Sequence, residues 1–159
     1  MRLYRKFIQN KCSLIVKRDV YDFIVETTRE SPNVETGGIL MGFDFESFHV
    51  NVTHASLPGP NAIQTPTKFI RDTSYCTEIL NENYKLYGVD YIGEWHSHIC
   101  QIRGMSCGDY ITLGSILCDK DYDFKSFAVI VAVFNHNKIE LVGYISSNNI
   151  VCKAEIIIE

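Results

Sequence analysis

Residues 94–109 read Glu94-Trp95-His96-Ser97-His98-Ile99-Cys100-Gln101-Ile102-Arg103-Gly104-Met105-Ser106-Cys107-Gly108-Asp109. The first five continue an apolar run from Tyr91, so 91–98 reads as a strand. Residues 99–105 read as a loop, and Ser106 opens a helix running to about Cys118. On a strand, residues two apart share a face, so His96 and His98 present two imidazoles to one side. Trp95 and Ser97 face the other way, with Trp95 in the core. Asp109 falls in the first helical turn, and the loop can return its carboxylate to the imidazoles. Two nitrogens and one oxygen, with a fourth position open, are the donor set of a catalytic zinc. Such a zinc lowers the pKa of its water to about 7. A carboxylate must then take the proton, and Glu35, at the start of another strand, is the candidate.

Outward from this segment, strands dominate. Leu3 to Val16 predicts one or two strands. Asp19 is expected to cap a helix through about Glu30, with Val20, Phe23, Ile24 and Thr27 at helical spacing. Residues 35–42, Glu-Thr-Gly-Gly-Ile-Leu-Met-Gly, read as a strand whose glycines admit a neighbouring backbone. Phe48 to Ala55 alternates as a strand. Leu57 to Thr67, rich in proline, reads as a surface loop that can lie over the site, and Lys68 to Arg71 as a short edge strand open to an extended tail. A helix is expected from about Ser74 to Tyr87, and the helix after Ser106 should turn Tyr110, Leu113 and Leu117 inward. Ser126 to Phe134 is continuously apolar, hence a central strand buried on both faces. Ile139 to Ser146 is its hairpin partner, and Ile150 to Ile158 closes the sheet.

The chain has 159 residues, 46% of them hydrophobic and 21% charged, with formal net charge −4. That size and balance fit one globular domain over 1–159 and argue against disorder. A mildly acidic chain lacks the basic surface needed for nucleic acid or anionic membranes. No apolar run approaches the roughly 20 residues of a membrane span, and the start does not read as a signal peptide. The expected location is the cytosol. Six cysteines, none in a CxxC pair, read as reduced and mostly buried thiols.

His96-x-His98, seven residues, Ser106, two residues, Asp109 resembles the H-x-H-x7-S-x2-D signature of the JAMM (MPN+/JAB) metallopeptidases. Glu35 ahead of Gly37-Gly38 matches that family's upstream glutamate. Gly93-Glu94-Trp95-His96-Ser97-His98 is similar to its stand-alone bacterial members, including peptidases of anti-phage (CBASS or related) operons that also encode ubiquitin-ligase-like enzymes. The resemblance covers most of the chain from about residue 11. It implies an α/β MPN (cytidine-deaminase-like) domain: a mixed, curved β-sheet flanked by about three helices. It implies one zinc ion on His96, His98 and Asp109, with Glu35 as general acid/base and Ser106 hydrogen-bonding the tetrahedral intermediate. The implied substrate is a ubiquitin-like protein or its conjugates, with E1/E2-like enzymes of the same operon as further partners. Two departures concern loop shape rather than ligands: Ile99 stands where members often have proline, and Cys100 to Met105 lacks the proline common there.

Plainer readings stand beside these. Ser106-x-x-Asp109 is also a capping box. Glu94 shares the histidines' face and is a candidate partner for one imidazole. Cys107, at a helix N-terminus, is conceivable as a nucleophile with His98, and Cys100 as a redox-sensitive bystander. His49, His54 and His136 show no ligand spacing. At the level of function, the rivals are a non-catalytic MPN scaffold or binding module, and a hydrolase acting on a sulfur-carrier-protein adduct.

Overall fold

The structure, a computed structural model, describes residues 11–100 and 102–159. Residues 3–10 of the expected opening strands lie outside it. Seven strands form one sheet: β1 (Ser13–Val16), β2 (Gly37–Glu46), β3 (His49–Ala55), β6 (Asp90–His98), β7 (Phe127–Asn135), β8 (Lys138–Ser147) and β9 (Ile150–Ile158). β4 (Ile63–Thr65) and β5 (Lys68–Ile70) make a separate hairpin. The helices are α1 (Arg18–Glu30), α2 (Thr73–Tyr87) and α3 (Cys107–Leu117).

The sheet closes on itself in the order β1-β3-β2-β6-β7-β8-β9, so the first and last strands are neighbours. The expected MPN domain, a mixed curved sheet flanked by helices, is therefore corrected to a closed mixed barrel with three helices. The cause lies in β1. This short strand pairs in parallel with β3 on one side and with β9 on the other. It satisfies both edges that an open sheet would leave bare. β9 divides its pairing, with residues 150–154 on β8 and residues 155–158 on β1.

β7 is buried on both faces from Phe127 to Val133, as its unbroken apolar run requires. Ala128, Ile130 and Ala132 join one core with Trp95, Leu14, Val16 and the α1 residues Val20 and Ile24. Phe127, Val129, Val131 and Val133 join a second core under α3 through Leu113. A third packs α2 on β2 through Cys76, Ile39 and Met41. Helix α1 thus belongs to the same core as Trp95, with Phe23 edge-on to that indole at 6.3 Å.

Several local expectations shift. Asp19 lies inside the first turn of α1, where its carboxylate accepts the adjacent Val20 N–H, and Lys17 is the N-cap. The proline-rich stretch hides β4, because Pro66-Thr67 turn the chain between two three-residue strands. Tyr110 is 48% exposed and Ile111 72% exposed, so α3 buries only Leu113 fully. All six cysteines are free, but only Cys76 is buried. No helix among the described residues is long and apolar enough to cross a membrane.

Barrel closure has a direct signature. The amides of Glu155 and Glu159 donate to the carbonyls of Cys12 and Val16 at 2.9 and 3.0 Å. Both should exchange with solvent deuterium far more slowly than free amides. Exchange at the rate of an unstructured chain at these two positions would mean an open sheet.

Candidate metal centre

Three elements build the site. β6 is held on both sides, antiparallel to β2 with His96 opposite Gly37, and parallel to β7 with His96 opposite Val131 and His98 opposite Val133. His96 therefore projects from a stretch of strand bonded on both edges, and His98 from the stretch bonded to β7. α3 supplies the third group. Ser106 is its N-cap and forms a full capping box with Asp109: Ser106 Oγ accepts the Asp109 N–H at 3.2 Å, and Asp109 Oδ2 accepts the Ser106 N–H at 2.6 Å. The cap and the site thus use the same carboxylate. Oδ1 faces His96, and Oδ2 faces His98 while it closes the cap.

Glu35 comes from the segment just before β2. Its N–H donates to Thr65 O at 2.9 Å, and its carbonyl accepts from Gln64 Nε2 at 3.2 Å, so β4 holds its backbone. The glycines after it are required by contact. A Cβ on Gly37 would stand 2.3 Å from Trp95 O, and one on Gly38 would stand 2.2 Å from Ser56 O. Glu35, His96, His98, Ser106 and Asp109 all line one groove of about 330 Å³, walled by β5 on one side and α3 on the other. Glu35 is outside the converging donor cluster and remains a carboxyl facing it.

The donors meet closely. His96 Nε2 and His98 Nε2 are 3.1 Å apart, and each lies 3.2 Å from an oxygen of Asp109. A tetrahedral zinc with bonds near 2.05 Å has donor–donor edges of about 3.3 Å. The imidazole–imidazole spacing is close to that edge, and the carboxylate spans the pair with one oxygen toward each ring, Oδ1 toward His96 and Oδ2 toward His98. The His98 tautomer fits as well: Nδ1 faces Ile102 O at 3.3 Å and donates to it, which leaves the Nε2 lone pair directed at the cluster. The residues present therefore fit a zinc ion with one position open among the described residues.

Charge follows the geometry. Burial alone would raise the Asp109 carboxyl, but hydrogen bonds from His96 and His98, the charge of His96 and the Ser106 N–H overcome it and hold Asp109 well below the usual carboxylate range. Burial pulls His98 down, yet the hydrogen bond and charge of Asp109 outweigh it and raise the imidazole above its ordinary value. Glu35 moves the opposite way to Asp109. Burial raises it, and the nearby histidines offset only part of that rise. Two carboxyls pushed apart in this manner suit two roles, one held ionised and one with a raised affinity for a proton.

The other candidates separate from this cluster. Glu94 pairs with Arg71 and accepts the Tyr91 hydroxyl at 2.8 Å, so it does not orient an imidazole. Cys107 is exposed, and both ring nitrogens of His98 are occupied by Ile102 and Asp109, which leaves no base for a thiolate. Cys100 is exposed. His49 meets Ser13 Oγ at 2.8 Å, His54 stacks on Tyr87 at 4.7 Å, and His136 sits at a positive-φ turn. Two contributors escaped the sequence reading. The Ile102 carbonyl is a backbone group with no residue signature. Tyr144 comes from β8, its hydroxyl accepting the Met105 N–H at 3.4 Å, and steadies the loop ahead of Ser106.

No protein-family model matches the chain. Among curated proteins it is similar to a CD-NTase/cGAS isopeptidase of Enterobacter hormaechei subsp. hoffmannii (strain UCI 50), at 24% identity over 120 residues. That match takes in 75% of this chain and 66% of the relative, just under two thirds of the relative's length. Among solved structures it is similar to the solution structure of protein DSY2949 from Desulfitobacterium hafniense, with a TM-score of 0.67, 18% identity and 92% of each chain covered. At that identity the likeness concerns the fold alone.

The charge pattern fixes a pH dependence. A raised His98 stabilises the metal-free fold fully below about pH 6.5, and this contribution drains away as pH rises through the raised value. Zinc needs the neutral ring, so its affinity should rise over the same interval and each ion bound should displace a proton. Thermal melting of chelated and zinc-loaded protein across pH 6–8, with calorimetry in two buffers of different ionisation enthalpy, checks both signs. Zinc affinity that falls as pH rises would contradict the assignment of His98 as a ligand.

Proposed function

We propose that this chain is a zinc-dependent isopeptidase or peptidase of JAMM-type chemistry. It cuts after the C-terminus of a ubiquitin-like protein, deconjugating or maturing it, in a bacterial anti-phage pathway. The observation that carries the reading is the convergence of His96 Nε2, His98 Nε2 and the Asp109 carboxylate through contacts of 3.1 to 3.2 Å, beside a buried Glu35. The name of the Enterobacter relative, a CD-NTase/cGAS isopeptidase, supports the isopeptide bond as target. E1/E2-like enzymes of the same operon are the further partners.

His96, His98 and Asp109 would hold the zinc, which would supply Lewis acidity and lower the pKa of water at its open position. Glu35 takes the proton of the attacking water and delivers it to the departing nitrogen as the C–N bond breaks. The products are a free carboxylate terminus and an amine, with nothing else consumed. Ser106 Oγ accepts the Asp109 N–H, so its own proton is free to donate to the carbonyl oxygen as negative charge develops there. The groove admits an extended chain rather than a folded surface. Among the described residues β5 pairs only with β4, on one edge, and Lys68, Phe69 and Ile70 line the groove. A substrate tail can add to its other edge by strand pairing.

The test is release of a reporter fused to the C-terminus of ubiquitin-like proteins encoded nearby, using zinc-loaded protein with a chelator control. Chelator-sensitive cleavage at the terminal residue is expected. Zinc-loaded protein that cleaves none of them would contradict the proposal.

The residue roles divide the variants. Glu35→Gln should keep one zinc per chain and lose roughly 100- to 10,000-fold in turnover. His96→Ala and Asp109→Ala should lose both metal and turnover, read by metal analysis beside the cleavage assay. Ser106→Ala should cost about 1 kcal/mol of stability through the lost cap and a further rate loss of about 100-fold. Wild-type turnover by Glu35→Gln would remove Glu35 from the chemistry.

A further inference from the structure

Ser97 lies between the two histidines and is completely buried. The register that sets Gly37 opposite His96 would set Thr36 opposite Ser97. In a regular antiparallel rung, two facing residues exchange both backbone bonds. Here only half of that exchange uses the backbone. Ser97 N–H donates to Thr36 O at 2.7 Å, but Thr36 N–H donates to Ser97 Oγ at 3.0 Å. The hydroxyl stands in for the carbonyl that a regular rung would use. The chain can then leave the ladder at Thr36 without losing a buried hydrogen bond, and the residue it carries out of the ladder is Glu35.

We propose that Ser97 is the positioning residue for Glu35, a role that rests on the zinc peptidase reading. Ser97 touches neither metal nor substrate. It fixes the peptide unit joining Glu35 to Thr36 from the β6 side, while Thr65 and Gln64 hold Glu35 from the hairpin side. The general base is thus tied by Ser97 to the strand that carries the ligands. The ligands do not depend on it in return, because the β2 and β7 ladders hold His96, and β7 holds His98.

Ser97→Ala removes the hydroxyl and keeps the Ser97 N–H to Thr36 O bond. In the full-length protein it should retain one zinc per chain and leave KM within about twofold. Turnover should fall about 100-fold, the size expected when a reacting group is displaced by about 1 Å. Placed on Glu35→Gln, the same substitution should cause little further loss, since residues acting as one unit are non-additive. The readout independent of activity is hydrogen exchange. The Thr36 amide should be protected in the wild type and exchange at least about tenfold faster in Ser97→Ala, with the Val131 and Val133 amides unchanged. Ser97→Thr keeps the hydroxyl and should restore Thr36 protection. A Thr36 amide that exchanges equally in wild type and Ser97→Ala, or a Ser97→Ala protein with wild-type turnover, would overturn the proposal. A wild type without chelator-sensitive cleavage but with Thr36 released by Ser97→Ala would instead remove the peptidase reading and leave the Ser97 contact standing.

Discussion

Two imidazole nitrogens and a carboxylate stand about 3 Å apart because each is fixed by structure made elsewhere. β6 cannot slide, since both its edges are bonded. Asp109 cannot swing away, since its second oxygen closes the cap of α3. Three donors with converging lone pairs repel one another unless a proton or a cation sits among them. Their close approach is a constraint built into the fold before any ligand arrives, which is what preorganised binding requires. The hydrogen bond and charge of Asp109 raise the affinity of His98 for a proton, an attraction that a cation at the same place would share.

The barrel serves this arrangement by removing edges. Trp95 anchors the inner side of β6, fully buried, with its Nε1–H on Ser56 O at 3.0 Å. Ser56 Oγ in turn accepts the Ile39 N–H at 2.9 Å. One face of β6 is thus a locked core contact, and the other carries the chemistry. Glu35 reaches that second face because two glycines let β2 run against β6 and β3 without side chains between. Asp109 and Glu35 move in opposite directions because the histidines hydrogen-bond to Asp109 and outweigh its burial, while for Glu35 burial outweighs their charge.

Much of the site was legible because its signals are local. His96 and His98 declare a shared face by alternation alone. Ser106 and Asp109 carry a capping signature that is also their geometry in the fold. Gly37 and Gly38 announced a close backbone approach. The reverse holds for features made at long range. β1 and β9 each read as ordinary strands, and nothing in either segment says that they pair across more than 130 residues, so the curved, helix-flanked sheet that the resemblance implies gives way to a closed barrel. The β4–β5 hairpin was masked by proline, whose turn-forming role at Pro66 is compatible with two very short strands. Tyr110 was expected inward from helical spacing, but α3 meets the sheet over so narrow a stripe that only Leu113 is fully covered. Ile102 acts through its carbonyl, and Ser97 through a hydroxyl replacing a carbonyl; residue identity does not advertise either role.

The most direct measurement is an anomalous difference map at the zinc edge from crystals of protein grown without chelator. One peak should lie within bonding distance of His96 Nε2, His98 Nε2 and an Asp109 oxygen, with the fourth position held by solvent and Glu35 beside it. A map with no peak there after zinc soaking, or a peak closed by a fourth protein ligand, would contradict a catalytic metal centre in this chain.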